Sequence, residues 1–585
     1  MVKSTGHPGR EALTSRSYGG REDILYRTDC KIYIRSVTQI MRFKRSALIL
    51  AVAMAALLAL STVSYACTIV AVGTKASTDG STMVTHNDDS TVADFRLWIL
   101  KGGEQKEGAT RPLVIDGHDY IDYTNWPSVD YTKNRNGQAM VVADLAQPKK
   151  TYTYLHSRYS FMNEVGVSMG EATFSYDRVT AREKDIYATM VSNSPGVVDC
   201  WFAQDIALER ASTAREAVLV MGAMIEKYGW LGPGETINIA DGKEVWIFEA
   251  YGRDIWAAVR MPDDHFFVAA NRARIGEVNL NDPANYLGSP NLISFATEKG
   301  WFDPKAGKPF LCWENYAPYN GVYSTRREWR ALDLVAPSLK LVSTDKRFPL
   351  SVKPERLLSV QDVWNIKADY YQGTEYDMTK GAAAGPWGNP LRYPNSDSRG
   401  GSWERTINMH RTCYLMIGQT KAWYPEPIKG VVWYGYGAPD TTYLTPLWAS
   451  MTSLPKFYQV GSRYEEFRRD SGWWANTYVQ EIATLKYQAA AKDIKDFRQP
   501  RMDMLYTMVP ALQDKATELY KTNPKAALSM IQEFAYSTAV AWHEDWLLLG
   551  DRLLGKYVFG STNLKTTAFP QWWNDLIGFT TMPGK

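Results

Sequence analysis

Residues 61–90 read "STVSYACTIVAVGTKASTDGSTMVTHNDDS", and this stretch contains the first strands that the sequence predicts. The segments TIVAVG (68–73) and TMVTH (82–86) are short and rich in β-branched residues, which favour extended structure. The connection between them carries the turn signal Asp79-Gly80. We therefore predict an antiparallel hairpin, with Cys67 at the start of its first strand.

The segment before Cys67 has the three parts of a secretory signal peptide. A positively charged stretch (42–45) precedes a 14-residue apolar run (47–60), and small residues at 64 and 66 stand at −3 and −1 of a cleavage point. Because so short a run does not comfortably span a bilayer, we expect a cleaved signal over 41–66 rather than an uncleaved anchor. We also expect residue 41 to be the initiator and 1–40 to be a non-native extension.

The charge of the chain changes once this leader is set aside. Of 66 Lys and Arg and 63 Asp and Glu, 10 and 4 lie in residues 1–66, so the net charge of +3 for the whole chain becomes −3 for residues 67–585. A slightly acidic body gives no reason to expect a nucleic-acid partner. A chain of this length, with 45% hydrophobic residues, can bury one large core or two.

Four cysteines remain after the leader: Cys67, Cys200, Cys312 and Cys413. So few in a long chain do not make a disulfide scaffold, and with Cys67 reserved for chemistry the other three leave room for one bridge and one free thiol. The seven histidines show neither an HExxH motif nor paired Cys/His spacing. The sequence therefore predicts no metal site and no cofactor.

Downstream, the sequence predicts one capped helix and a run of close-set strands. Residues 212–229 place Thr213 and Glu216 at the spacing of a capping box and end at Gly229. Four segments separated by turn signals then predict an antiparallel meander. Apolar and polar residues alternate along them, which predicts strands with one buried face. The segments are ETINIAD (235–241), EVWIFEA (244–250), IWAAVR (255–260) and HFFVAAN (265–271). Two sheets packed face to face with helices outside would account for this order of elements.

The last third of the chain changes from loop to helix. Residues 370–404, rich in Gly, Pro, Ser and Asn, predict a long loop, and GVVWYGYG (430–437) predicts a further strand. From about 475 the sequence predicts a helix (476–497), a separate segment after Pro500, and a helix that begins at Asn523-Pro524. In that last helix a core-facing stripe is formed by Leu528, Ile531, Phe534 and Ala535.

Three interpretations of Cys67 compete. As the first residue of a bacterial lipoprotein it would be lipidated, but such signals usually carry Leu at −3, where this chain has Ser64. It could instead be structural, in a disulfide or simply buried. The third interpretation uses cleavage before Cys67, which creates one residue with both a thiol and a free α-amine.

A residue of that kind can act as nucleophile and base together. A thiol with a pKa of about 8.5 is mostly protonated near neutral pH and needs a base. An α-amine with a pKa of about 7.7–8.0 can take that proton, directly or through a bridging water. The site also needs a carboxylate to orient the ammonium form and donors to hold the developing oxyanion.

Residues 67–90 resemble the opening of the dipeptidase-A-like cysteine peptidases of the N-terminal-nucleophile (Ntn) hydrolase superfamily, which are related to penicillin V acylase and bile salt hydrolase. Further blocks agree in the same order: FMNEVGVSMGEATF (161–174), ALERASTAREAVLVMGAMIEKYG (207–229), GETINIADGKEVWIFEAYGRDIWAAVRMP (234–262), VAANRARIGEVN (268–279), YSTRREWRAL (323–332) and, more weakly, GQTKAWYPEPIKGVVWYGYGAPDTTYLTPLW (418–448). The resemblance implies an α+β fold, a four-layer αββα Ntn-hydrolase sandwich with the nucleophile at the start of a central strand. We expect this catalytic domain over 67–470, with a loop-rich insertion near 370–404, and a helical C-terminal region over 471–585.

The resemblance also implies catalytic roles. Cys67 takes the position of the nucleophile, and Asp89, the last residue of HNDD, matches the aspartate that binds the α-amine. Asn271 matches the side-chain donor of the oxyanion hole, with an ordinary strand-end turn residue as the alternative. In relatives an arginine helps to hold the polar network of the active site. Arg327 matches its position, although Arg326 and Arg330 are adjacent candidates.

Two further residues are implied on the substrate side. Thr173 aligns with a second position of the substrate pocket and oxyanion hole, and a structural threonine is the alternative. His86 stands where many members have arginine; because histidine titrates near neutral pH and arginine stays charged, its role is left open. Asn87 and Asp88 are expected to support the site or to form a turn.

The resulting hypothesis is a secreted dipeptidase that acts through an acyl-enzyme on Cys67. One alternative is an acylase that cleaves N-acyl amides, and another is a non-catalytic exported binding protein with a structural Cys67. We expect dipeptide substrates, export to the periplasm or the extracellular space, no nucleic-acid partner and no stable membrane anchor. The sequence leaves a homo-oligomer and the substrate side-chain preference open.

Overall fold

The computed structural model describes residues 67–115, 120–135, 139–392 and 404–578. The expected extension (1–40) and signal peptide (41–66) lie outside the described residues. Within them, none of the helices has the length and apolar composition needed to cross a membrane.

The hairpin predicted around Cys67 is present. Strand β1 (Ile69–Val72) pairs antiparallel with β2 (Thr82–Asn87), and Ala71 lies opposite Val84. Cys67 precedes β1 by two residues, and it shares a buried cluster with Ile69 and Ala71, on the alternate positions of the strand. The alternation of the sequence therefore turns the Cys67 side chain toward the interior between two sheets.

Seventeen further strands occur in the described residues. They are β3 (Trp98–Leu100), β4 (Gly103–Glu104), β5 (Thr110–Ile115), β6 (Met140–Ala146), β7 (Lys150–Thr151), β8 (Tyr154–His156), β9 (Ser160–Asn163), β10 (Ser168–Thr173), β11 (Glu235–Ala240), β12 (Val245–Gly252), β13 (Ile255–Met261), β14 (Phe266–Ala269), β15 (Tyr286–Gly288), β16 (Ser351–Val352), β17 (Tyr414–Thr420), β18 (Gly430–Tyr436) and β19 (Thr445–Leu447).

The α-helices of the same residues follow in chain order. They are α1 (Ala181–Tyr187), α2 (Cys200–Arg210), α3 (Ala214–Tyr228), α4 (Ser294–Glu298), α5 (Cys312–Tyr316), α6 (Val322–Val335), α7 (Val360–Lys367), α8 (Glu426–Lys429), α9 (Gly472–Ala483), α10 (Tyr487–Tyr520), α11 (Pro524–Tyr557) and α12 (Gln571–Ile577).

Most strands belong to two antiparallel sheets. The first sheet has the order β16-β14-β1-β2-β17-β18-β19, and the second has the order β15-β13-β12-β11-β10-β9-β8-β3. The strands β10 and β11 of the second sheet pack on β2 of the first. The sheets approach so closely there that any side chain at Gly170 would clash with the backbone oxygen of Thr85. This close approach brings the residues next to Gly170 within reach of β2.

Helices pack on both sheets. Helices α2 and α3 contact β9, β12 and β13 of the second sheet, whereas α6, α7, α9 and α11 contact β14, β17, β18 and β19 of the first. The described residues therefore form an α+β fold with antiparallel sheets and a C-terminal helical region. The helix predicted at 212–229 is α3, whose N-cap Thr213 accepts a hydrogen bond from the Glu216 backbone N–H.

The predicted four-stranded meander is only partly correct. Strands β11, β12 and β13 are neighbours, but β14 leaves them and pairs with β1 in the first sheet. The prediction that these strands are half-buried is wrong, since almost every residue in them is buried. The other sheet covers one face of these strands and helices cover the other face. Residues on both faces are therefore buried, and buried and exposed positions do not alternate along the strands.

The predictions for the C-terminal half have mixed outcomes. The strand predicted at 430–437 is β18, whereas the helix predicted over 476–497 is divided between α9, which ends at Ala483, and α10, which begins at Tyr487. Of the loop predicted at 370–404, residues 393–403 lie outside the described residues, and 370–392 contain no strand or α-helix. Asn523 caps α11, as predicted, by accepting a hydrogen bond from the Ala526 N–H at 3.1 Å. Pro500 does not separate two segments, because α10 runs through it. Buried residues on both sides of it, including Ile494 and Met502, hold the helix together against a cost of about 3 kcal/mol for an internal proline.

The four cysteines of the described residues are all buried and free: Cys67, Cys200, Cys312 and Cys413. The disulfide for which the sequence left room is therefore not formed among them.

Candidate active site

The Cys67 thiol lies buried between the two sheets. Its Sγ donates a hydrogen bond of 3.3 Å to Glu171 Oε1, on β10. Burial raises the pKa of the Cys67 thiol well above its ordinary value, and the negative charge of Glu171 raises it further. The Asp89 backbone N–H donates to the thiol and acts in the opposite direction. The thiol is therefore protonated near neutral pH and needs a base before it can attack a carbonyl.

Arg327, on α6, holds the backbone of Cys67. Its Nη1 donates to Cys67 O at 2.7 Å and to Thr68 Oγ1 at 2.8 Å, and its Nη2 donates to Asn271 Oδ1 at 2.9 Å. The side chain is completely buried, where unpaired donors would be costly. One guanidinium thus connects Cys67, the candidate nucleophile, to Asn271, the candidate oxyanion donor.

The structure distinguishes the three arginines that the sequence left as candidates. Arg326 forms an ion pair with Glu404, and Arg330 forms one with Asp369. Of the three, Arg327 is the one that reaches Cys67.

Asn271 follows β14 in a left-handed backbone conformation, with φ of 61°. Its Nδ2 donates to the Thr173 backbone oxygen at 2.9 Å, and its backbone oxygen accepts from Ser175 N at 2.9 Å. These bonds join the end of β14 to the end of β10, so the amide lies between the two sheets beside Cys67. Asparagine is one of the few residues other than glycine that adopts this conformation readily.

Asp89 lies at the end of β2 in a dense polar cluster. Its carboxylate forms a buried ion pair with Arg405 and accepts hydrogen bonds from Asn87 Nδ2 and, at 2.6 Å, from Thr412 Oγ1. Arg405 Nη1 also donates to Cys67 O at 3.4 Å. The Asp89 carboxylate is thus fixed next to the Cys67 backbone by charge-assisted hydrogen bonds.

Lys367, at the end of α7, is a second cation that the sequence did not indicate. Its Nζ donates to the Thr68 backbone oxygen and to Asn87 Oδ1. Burial lowers the pKa of Lys367 to about 8, although the negative charge of Asp89 acts to raise it. The residue is completely buried, so its ammonium group interacts with the residues around Cys67 and not with solvent.

His86, on β2, is hydrogen-bonded on both sides of its ring. Nε2 lies 3.0 Å from Glu171 Oε1, and Nδ1 lies 3.1 Å from the Tyr414 hydroxyl. Burial raises the pKa of Glu171, but the hydrogen bond and charge of His86 outweigh it, and the net pKa is lowered. His86 is therefore a buried, fully bonded residue that keeps the carboxylate beside Cys67 ionised.

Glu235 lies beside Glu171, on β11. Its pKa is raised well above the ordinary value, first by burial and then by the negative charge of Glu171. Glu235 is therefore protonated at neutral pH, because two buried carboxylates at this distance do not both ionise. Thr173, directly opposite Glu235 in the strand register, contributes its backbone oxygen to Asn271.

Asp88 and Asn87 support the site from the same strand end. Burial raises the pKa of Asp88 to about 6, although Arg158 and His86 act to lower it. Asn87 Oδ1 accepts from Thr68 N at 3.3 Å. Asn87 thus connects β2 to the residue that follows the nucleophile.

The residues predicted from the sequence come together around one cysteine. Asp89, His86, Asn271 and Arg327 all lie in a network that reaches Cys67, and Thr173 joins it through its backbone. The sequence analysis missed Glu171, Arg405, Lys367, Thr412 and Tyr414. Glu171 stands in a block that the resemblance covers, two residues before Thr173, whereas the others carry no motif.

This arrangement suits acyl transfer to sulfur. The Cys67 thiol is buried among ionisable groups, two guanidinium groups donate to the Cys67 backbone oxygen, and Lys367 donates to the backbone oxygen of the next residue, Thr68. Preorganised donors of this kind stabilise charge that develops during attack on a carbonyl. An α+β fold with a buried cysteine in such a site is compatible with the class of cysteine-dependent amide hydrolases.

Comparison with known proteins identifies the family. The sequence profile of Peptidase family C69 matches residues 66–500, and the chain belongs to that family. A protein named "Probable dipeptidase" from Latilactobacillus sakei is 27% identical over 476 residues, covering 77% of this chain and 88% of the relative. A "Probable dipeptidase" from Salmonella dublin is 28% identical over 408 residues, covering 68% and 83%. A "Dipeptidase" from Bifidobacterium longum is 24% identical over 505 residues, covering 80% and 86%.

Proposed function

We propose that this protein is a dipeptidase that hydrolyses the peptide bond of dipeptides through Cys67. Family membership and the printed names of the relatives support this function. The observation that carries it is the fixed position of Cys67, whose carbonyl accepts from Arg327 at 2.7 Å while its thiol lies against Glu171 at 3.3 Å. A structural cysteine would need neither contact.

The proposal includes the Ntn-hydrolase fold and maturation by cleavage. Two antiparallel sheets that pack on each other, with helices on each of them, are compatible with a four-layer αββα sandwich. Cleavage before Cys67 would free its α-amine next to a carboxylate, Asp89, that is already held in place. The signal-like pattern of 41–66 supports export to the periplasm or the extracellular space.

The proposed reaction has two stages. The α-amine of Cys67 takes the thiol proton, and the thiolate attacks the peptide carbonyl to form a C–S bond. The Asn271 amide stabilises the oxyanion. The ammonium then returns its proton to the leaving amine, the C–N bond breaks, and an acyl-enzyme remains. Water, deprotonated by the same amine, attacks the acyl-enzyme and releases the amino acid and the thiol.

The test combines the mature N-terminus with a substrate panel. Mass spectrometry of the exported protein should give a chain that begins at Cys67. The purified protein should cleave free dipeptides, and Cys67→Ser should lower kcat at least about 1,000-fold. Cys312→Ser, at another buried free cysteine that lies outside the network, is the matched control and should retain activity.

Three outcomes would contradict the proposal. Cleavage of N-acyl amides without cleavage of dipeptides would make the protein an acylase. A mature chain that retains residues before Cys67, or full activity of Cys67→Ser, would exclude the N-terminal cysteine as nucleophile and base.

A further inference from the structure

Three metal-binding side chains meet at the nucleophile. Cys67 Sγ, His86 Nε2 and Glu171 Oε1 all lie within 4.8 Å of one another, and all three residues are buried. Thiolate, imidazole and carboxylate are the side-chain ligands that Zn²⁺ takes in proteins. They come from three separate segments of the chain, which is why no spacing motif announces them.

The distances between these atoms are close to those of a zinc site. Tetrahedral zinc, with bonds of about 2.0–2.3 Å, holds a nitrogen and an oxygen ligand about 3.4 Å apart and a sulfur and an oxygen ligand about 3.6 Å apart. In the structure Nε2 and Oε1 are 3.0 Å apart, and Sγ and Oε1 are 3.3 Å apart. Each of these two pairs has to separate by only a few tenths of an ångström, and Sγ lies within 4.8 Å of Nε2.

The surroundings of these ligands also suit a metal. The Tyr414 hydroxyl lies 3.1 Å from His86 Nδ1, and the His86 ring packs edge-on against Tyr159 and Tyr414. A bonded second ring nitrogen is the usual partner of a metal-ligating histidine, because it fixes the ring and the tautomer.

We propose that Zn²⁺ binds to Cys67, His86 and Glu171 and reversibly blocks the nucleophile. The thiol releases its proton to solvent and binds as thiolate. Neutral His86 binds through the Nε2 lone pair, with its ring proton on Nδ1 toward Tyr414, and Glu171 supplies one carboxylate oxygen. A fourth position is left for water or for the α-amine. The metal site itself does not depend on the substrate; the expected inhibition rests on the proposed function.

A second group of ligands shares Glu171 and has to be distinguished. Glu171, Cys200 and Glu235 also have side-chain atoms within 4.8 Å of one another. This group contains no imidazole, and the Cys200 thiol already lies 3.8 Å from its acceptor Gln204 Oε1. The His86 group offers the more complete set of zinc ligands.

The experiment measures metal directly and activity separately. The mature protein is incubated with Zn²⁺, freed of loosely held metal, and analysed for zinc; we expect one Zn²⁺ per chain. Co²⁺ in its place should produce a near-ultraviolet sulfur-to-cobalt charge-transfer band. Zn²⁺ should abolish dipeptide cleavage, and EDTA should restore it.

Variants assign the site. His86→Gln and Glu171→Gln should each raise the Kd for Zn²⁺ at least about 10-fold, and Cys67→Ser should remove the cobalt band. Cys200→Ser and His265→Gln, at a part-exposed histidine on the surface, should keep both the stoichiometry and the band. Circular dichroism checks the folding of each variant, and if one ligand variant does not fold, the other two decide.

Three results would overturn the inference: no bound zinc and no cobalt band, loss of zinc in Cys200→Ser with retention in His86→Gln, or zinc binding that only His265→Gln removes. Failure of the proposed function looks different. In that case the protein would bind Zn²⁺ as described but cleave no dipeptide before metal is added.

Discussion

Arg327 Nη1 lies 2.7 Å from the backbone oxygen of Cys67, so a residue from a helix in the middle of the chain clamps the residue at the head of the first strand. The same guanidinium donates to Asn271 Oδ1 at 2.9 Å. The orientation of the nucleophile and that of the candidate oxyanion donor are therefore set by one buried group, and they should fail together when it is changed.

Replacing Arg327 by Lys should lower kcat about 100-fold. An ammonium group lacks the planar set of donors that bonds Cys67 and Asn271 together. A small misplacement of the reacting groups that results from this loss lowers the rate by about that factor. Steady-state kinetics on a dipeptide measure the effect. The matched control is Arg326→Lys, whose partner Glu404 lies outside the network. An equal loss in both variants would show that the role of Arg327 is structural only.

Replacing Arg405 by Ala should destabilise the fold as well as the site. Asp89 and Arg405 are both almost completely buried, and removal of one member of a buried ion pair costs about 3–5 kcal/mol because the other charge is left unpaired. Urea denaturation at neutral pH measures the change in the free energy of unfolding. Arg468→Ala, which breaks the exposed pair with Asp470, should change it by less than about 1 kcal/mol; a similar change in both variants would contradict the prediction.

Asn271 allows the loss of its amide to be separated from backbone strain. Its φ of 61° suits Gly and disfavours Ala. Both Asn271→Gly and Asn271→Ala should lower kcat about 100- to 1,000-fold through loss of the oxyanion donor, but the Ala variant should be the less stable by about 1 kcal/mol. Kinetics and thermal denaturation on the pair give the two effects. Wild-type kcat in Asn271→Gly would remove Asn271 from the oxyanion hole.

Lys367 predicts a dependence of stability on pH. Burial lowers its pKa in the folded protein to about 8, whereas lysine in an unfolded chain has a pKa of about 10.4. Between these values the unfolded chain binds more protons at this residue, so the free energy of unfolding rises with pH, and the full penalty applies below pH 8. Over that range Lys367 should contribute a rise of about 3 kcal/mol.

The variant Lys367→Met isolates this contribution. The difference in unfolding free energy between wild type and variant, measured by urea denaturation from pH 7 to 10.5, should be constant near pH 7 and should shift in favour of the wild type above pH 8. A pH-independent difference would show that the Lys367 ammonium carries no burial penalty.

Much of the local structure could be predicted from the sequence. The hairpin at 67–90, the cap of α3 at Thr213 and the start of α11 at Asn523 depend on turn residues, caps and periodicity that act within a few positions. The position of Cys67 at the head of a buried strand follows from the same short-range signals. Because these interactions are local, they can be read before the rest of the fold is known.

The partners of Cys67 could be predicted only where a motif marked them. Asp89, Asn271 and Arg327 were found through the resemblance. Arg405 and Lys367 have no local signature, and they lie about 300 residues from Asp89 and Thr68, which they contact. The choice among Arg326, Arg327 and Arg330 also depended on the packing of α6 against β14. A helix can present any of several neighbouring residues until its packing decides which one points inward.

The sequence by itself determined the hairpin at 67–90 and the starts of α3 and α11, and it placed a thiol at the start of the first strand. Only the tertiary structure decided that β14 joins β1 and not β13, and that Glu171 and His86 meet at the sulfur. The reason is physical: caps and periodicity act over one or two turns of chain, whereas strand order and the pairing of buried charges follow from the packing of segments distant in sequence.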